Sequence, residues 1–133
     1  MRDRIEPHLR DAIYRTDFST FVGKCFQTLV PGSAYQMNWH ILALAHHLEM
    51  VRLGKIRRLI INLPPRSLKS LLTSVAFPAF VLGHDPTKRI IAVSYGSDLA
   101  IKFANDCRVI LNARWFHELF PATKISKNQE HGI

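Results

Sequence analysis

Apolar residues recur three and four positions apart over the first half of the chain, and this spacing predicts helices there. Ile5, Leu9, Ala12 and Ile13 fall on one helical stripe. Phe18, Phe21, Val22, Cys25, Phe26 and Leu29 fall on a second, with Thr16-Asp17 as the cap between the two. Pro31-Gly32-Ser33 reads as a turn. Met37, Ile41, Leu44, Leu48 and Val51 keep the most regular helical period in the chain, and Gly54 stands where a C-terminal stop belongs. The pattern then changes. Leu59-Ile60-Ile61 forms a short continuous apolar run within 58–63, ended by Pro64-Pro65, and Ile90-Ile91-Ala92-Val93 forms another within 89–94. Unbroken apolar runs of this length suit strands covered on both faces, as in a parallel sheet. Between them, residues 69–82 read as a helix interrupted by Pro78, followed by a turn at Gly83-His84-Asp85-Pro86, and residues 98–111 read as a further helix.

Strand, loop, helix, strand, helix is a βαβα unit, whose crossover is right-handed in nearly all proteins. The expected fold class is therefore α/β. A helical lead-in over 1–54 precedes a βαβα unit over 55–123, a partial P-loop NTPase fold with an incomplete parallel sheet, and the tail over 124–133 is irregular. Two parallel strands make a poor sheet by themselves. The chain is accordingly expected to be the front part of a longer α/β domain, with uncovered edges and an apolar face that favour self-association.

Composition narrows the class. Of the 133 residues, 47% are apolar and 21% charged, which excludes a disordered chain and suffices for a buried core. The net charge of +8, from 18 Lys and Arg against 10 Asp and Glu, fits either a solvated basic surface or a polyanion partner such as double-stranded DNA. Cys25 and Cys107 have no metal-ligand spacing, and read as buried free thiols in a reducing compartment. The charged N-terminus, Met1 to Glu6, lacks the apolar stretch of a secretory signal, and no apolar run is long enough for a bilayer. The expectation is a cytoplasmic chain that is not secreted and has no membrane partner.

The candidate chemistry lies at Pro64-Pro65-Arg66-Ser67-Leu68-Lys69-Ser70. An apolar run, a break, and Lys-Ser opening a helix place an ammonium and a hydroxyl where phosphate and Mg²⁺ are both held in nucleotide-binding loops. In the G-x-x-x-x-G-K-[ST] register set by Lys69, the glycine positions hold Leu63 and Leu68. Glycine before the lysine lets the backbone approach phosphates and adopt conformations that a Cβ obstructs, so Leu68 is the departure that matters most. The other reading of Leu-Lys-Ser is an ordinary helix start with a solvated lysine.

This loop resembles the proline-proline-arginine form of the Walker A loop in large terminase subunits, the ATP-driven DNA-packaging motors of tailed phages. The usual loop there is P-P-R-H-G-K-S, from which positions 67 and 68 differ. Tyr35-Gln36-Met37-Asn38-Trp39-His40 and Gly54-Lys55-Ile56-Arg57-Arg58-Leu59 before it continue the likeness in the family's order. So do Phe77 to Gly83, Ala92 to Ala100, Trp115 and Leu119-Phe120-Pro121 after it, over roughly residues 30 to 123. The resemblance implies ATP and Mg²⁺ as cofactors. Pro65, Arg66, Ser67, Leu68, Lys69 and Ser70 would form the phosphate loop, with Lys69 on the β- and γ-phosphates and Ser70 as the Mg²⁺ ligand. Arg66 would be the catalytic residue that stabilises charge on the transferring phosphoryl group. Tyr35, Gln36 and Trp39 resemble the adenine-side segment, where an amide both donates and accepts and a ring stacks on the base. Tyr35 and Trp39 read equally as anchors of the helix that follows.

In the intact family, ATP hydrolysis drives double-stranded DNA into the capsid through the portal, with the small terminase subunit as a partner, and a separate nuclease domain cuts the DNA. No apolar run followed by an acidic pair occurs after residue 94, and no carboxylate cluster is present. The expected chain thus carries the Walker A-like part without Walker B or nuclease, and is inactive alone. Two other readings stand beside this one, a non-catalytic basic nucleic-acid-binding module and another P-loop nucleic-acid motor such as a helicase. His40, His46 and His47 lack a third metal partner and read as surface or packing residues. Ser94-Tyr95-Gly96, ending the second expected strand, reads as a phosphate or DNA contact or as a plain turn and helix cap.

Overall fold

The computed structural model describes residues 6–64 and 68–126. Helices α1 (Pro7–Thr16), α2 (Phe18–Leu29) and α3 (Trp39–Arg52) come first. After an irregular stretch, the chain is helical again from Lys69, passes through a π-helical segment Leu71–Ala76, and continues into α4 (Phe77–His84). Helices α5 (Ser97–Asn112) and α6 (Arg114–Leu119) complete the described fold.

Local chemistry accounts for the element ends. Asp17 caps α2, its carboxylate accepting from the Ser19 N–H at 3.2 Å and from the Ser19 and Thr20 hydroxyls at 2.8 and 2.6 Å. At the end of α3, Gly54 takes φ +77, and the Lys55 and Ile56 N–H groups turn back to the Met50 carbonyl. Pro78 has no N–H to offer the Ser74 carbonyl, and the helix widens ahead of it. The Phe77 N–H reaches the Leu72 carbonyl five residues back, while the Thr73 hydroxyl takes the Lys69 carbonyl at 2.8 Å.

Aromatic rings fill the core. Phe21 is fully buried and meets Phe80 and Trp115 at ring-centroid distances of 5.0 and 5.6 Å, with Phe18, Phe116 and Phe120 near 6.3 Å. This cluster joins α2, α4 and α6, and Leu72, Val75 and Ile110 extend it to the π-helical segment and α5. Gly83 leaves room for the Phe120 ring, since a Cβ there would lie 2.6 Å from it. Trp115 donates from its indole N–H to the Thr28 hydroxyl at 3.0 Å, tying α6 to α2. Arg52 makes a two-point contact with Glu49 at 2.7 and 3.0 Å and lies over the Phe80 ring.

The α/β expectation is wrong. No strand and no sheet occurs among the described residues, so neither 58–63 nor 89–94 is a strand and there is no βαβα unit or partial P-loop NTPase fold. Ile60, Ile91 and Val93, which a covered sheet would bury, are 87%, 90% and 89% exposed. The physical reason lies in what each arrangement can bury. Two parallel strands make few ladder bonds and need cover on both faces, whereas the phenylalanines of α2, α4 and α6 bury one another directly. Residues 124–126 carry no regular secondary structure, and the rest of the 124–133 tail lies outside the described residues. No helix among the described residues is long and apolar enough to cross a membrane.

His84 gives the fold a pH dependence. Its Nε2 lies 2.7 Å from the Arg15 carbonyl, and its ring packs on Phe80 and Phe120. Burial, and secondarily the nearby Arg52 guanidinium, hold its pKa below the ordinary 6.5, against smaller opposing effects of the Arg15 carbonyl and Glu49. The unfolded chain therefore takes up the proton first as pH falls. Stability is expected to be full above about pH 6.5, to fall through the window below it, and to level off beneath the folded-state pKa. Urea midpoints on either side of pH 6.5 should differ less in His84→Gln than in the parent; equal differences would remove His84 as the cause.

Candidate functional site

The loop that the sequence singles out opens on a cleft of about 590 Å³, a size typical of small-molecule sites. Phe26 and Leu29 of α2 and Phe103 of α5 give it an apolar floor, and Leu63, Pro64 and Leu68 form the loop side. Its polar groups are Lys69 and Ser70, from the start of the helix after the loop, and Lys102 and Asp106, from α5. Two ammonium groups line the cleft, and one of them, Lys102, is paired with Asp106 at 2.7 Å.

Leu68 takes φ +61, and it is the one non-glycine residue with a positive φ among the described residues. A left-handed backbone costs a residue with a Cβ about 1–2 kcal/mol. Packing of the half-buried leucine against the core offsets this. The position is the one where the phosphate-loop pattern has glycine, so the backbone adopts here what that glycine would allow. The next residue, Lys69, turns its Nζ back to the Leu63 carbonyl at 3.2 Å, spanning the loop. An ammonium has three donors, so this bond leaves two for a ligand. The Ser70 hydroxyl is exposed and makes no capping bond.

Pro65, Arg66 and Ser67 lie outside the described residues. Tyr35 stacks obliquely on Phe26 at 5.5 Å, above Gly23, and its hydroxyl meets the Met37 sulfur. Tyr35 therefore reaches the cleft only through Phe26. Gln36 is exposed, and neither it nor Trp39 lines the cleft. Trp39, 79% exposed, lies instead beside a smaller depression formed with His40 and Leu59 to Leu63. Ser94 lines a separate cavity of about 290 Å³ between α4 and α5, and Tyr95 is almost fully exposed.

Lys102 and Asp106 escaped the sequence reading. They form an i, i+4 ion pair at 2.7 Å, a spacing visible in the sequence but common on solvated helix faces. Only packing of α5 beside the loop gives the pair a site. The histidines of α3 form no metal-holding group, and no cluster of three or more His, Cys, Asp or Glu suited to a metal occurs among the described residues. Both cysteines are free thiols. Burial pushes the Cys25 thiol well up, with Cys107 adding to the effect, and raises Cys107 to about 11, which favours the thiol over the reactive thiolate at both.

Among known proteins, the chain matches no family profile, no curated sequence and no solved structure.

Proposed function

We propose that the chain binds ATP with Mg²⁺ in the cleft beside Lys69, and serves as a nucleotide-holding part of a DNA-packaging motor of the terminase kind. The observation that carries this reading is the left-handed backbone of Leu68 immediately before Lys69 and Ser70 at the cleft wall. A strained conformation at the position where a phosphate loop needs glycine is a local rule broken at a candidate site. The proline-proline-arginine likeness of the loop and the basic balance of the chain support it further. The reading concerns a ligand site and needs no sheet.

In this reading the Lys69 ammonium donates to the β- and γ-phosphate oxygens in place of the Leu63 carbonyl, and the Ser70 hydroxyl faces the metal. Mg²⁺, when bound with the nucleotide, neutralises phosphate charge. Lys102 adds a second ammonium to the cleft from α5. Arg66 keeps its proposed role towards the γ-phosphate in the motor as a whole, and double-stranded DNA, the small terminase subunit and the portal are its partners there. Among the described residues the cleft holds one carboxylate, Asp106, and that is tied to Lys102. With no second described carboxylate there to orient an attacking water, the activity proposed for this chain is binding without turnover.

Titration with Mg·ATP should show saturable binding with no release of phosphate, and adenosine, which lacks phosphates, should not compete. Leu68→Gly should tighten ATP binding, because it removes a side chain from the cleft and the strain from the loop. Its stability should stay within about 1 kcal/mol of the parent, as relief of the left-handed strain is set against lost burial and a more flexible unfolded chain. No binding by either form would end the nucleotide reading.

A further inference from the structure

We propose that the cavity of about 290 Å³ beside α5 binds a small apolar carboxylic acid, with its tail inside and its carboxylate on Arg108. The proposal does not rest on the nucleotide reading, since the two sites share a single lining residue, Phe103. Helical spacing builds two of the walls. Ala100, Phe103, Ala104, Cys107, Arg108 and Leu111 recur three and four residues apart, and so form one stripe of α5. Ser74, Pro78 and Leu82 stand four apart on the helical stretch packed against it. Ile90 and Val93, from the connection between α4 and α5, close a third side.

Charge complementarity selects the ligand. The lining is apolar except for the Ser74 and Ser94 hydroxyls, the Cys107 thiol and the Arg108 side chain, and no acidic residue is among the described residues that form it. Arg52, Lys102 and Arg114 are each paired with a carboxylate, whereas Arg108 makes no ion pair among the described residues. An arginine lays its methylene stem along apolar surface and keeps its guanidinium at the water, where the planar fork meets a carboxylate through two parallel bonds. One guanidinium balances one negative charge. That suits a carboxylate better than a phosphate monoester, which carries nearly two. The volume lies at the lower end of the range for ligand cavities, so the tail is short. Val93, which lines the cavity and is 89% exposed, gains an apolar neighbour when the tail enters.

Octanoate is the probe. Titration calorimetry on the full chain should show saturable binding, and octanoate should slow alkylation of Cys107 by N-ethylmaleimide, read by peptide mass spectrometry. Cys25 has no exposed surface, so its lack of labelling reports that the protein stays folded. Acetate, a head without a tail, and octylammonium, a tail with the opposite charge, should protect Cys107 far less. Arg108→Gln should weaken octanoate binding roughly tenfold, as for a lost charge-assisted bond. Arg114→Gln removes the same charge outside the cavity and should leave the affinity unchanged. Should Arg108→Gln misfold, Ala104→Phe reports instead, because it fills the cavity from an exposed position and should abolish octanoate binding. No octanoate binding by the parent would overturn the proposal. So would equal weakening in Arg108→Gln and Arg114→Gln, which traces binding to net charge, or equal protection by octylammonium, which traces it to the tail alone.

Discussion

Phe21→Ala should cost about 3–5 kcal/mol, the usual penalty for emptying a buried phenylalanine site. That is a large part of the 5–15 kcal/mol that holds a domain of ordinary stability together. Phe21 is fully buried and contacts five other rings, drawn from α2, α4, α6 and the residue that follows α6. Those rings come from three separate helices, so they cannot collapse into the gap without shifting whole elements. The urea midpoint should fall steeply, or the variant should be unfolded in buffer. Tyr95→Ala is the control, because that ring is 98% exposed and its loss should move stability by no more than about 0.5 kcal/mol. Equal losses at the two positions would mean that the aromatic core has been assigned to the wrong face of α2.

Lys69→Ala should weaken ATP binding by roughly ten- to a hundredfold, the range expected for removing charge-assisted bonds of about 1.5–3 kcal/mol. The fold should be nearly unaffected. The bond lost is to the carbonyl of half-buried Leu63, which lies in an irregular segment where water can replace the ammonium. DNA binding, if carried by the +8 balance, should barely change, because the lysines and arginines run from Arg2 to Lys127 and this substitution removes a single charge. It should be independent of sequence and weaken steeply with salt. Calorimetric titration with ATP and fluorescence anisotropy with duplex DNA, on the same preparation, separate the two surfaces. Loss of DNA binding together with ATP binding, in a folded protein, would mean that one surface serves both ligands.

Helices were legible wherever the signal is local. The stripes Phe18–Leu29 and Met37–Val51 mark α2 and α3 because a helix closes its bonds within four residues and so writes its buried face into the spacing. Asp17 and Gly54 were legible as ends for the same reason, each acting on its immediate neighbours. Helix α6 was missed, since six residues give too little length to show a period. Leu59-Ile60-Ile61 and Ile90 to Val93 were misread because an apolar run alone does not reveal a pairing partner, and strand pairing is settled between distant segments. What the sequence by itself determined is the order of residues in the loop, Lys69 and Ser70 after Leu68, together with the helical stripes of α2 and α3 that build the core. Only the tertiary structure decided that the core is a set of packed phenylalanines without a sheet, that Leu68 bends into the left-handed region, and that Lys102 and Asp106 face the loop. These depend on contacts between residues roughly thirty to a hundred positions apart, such as Phe21 with Phe116 and Phe120, which no local spacing records.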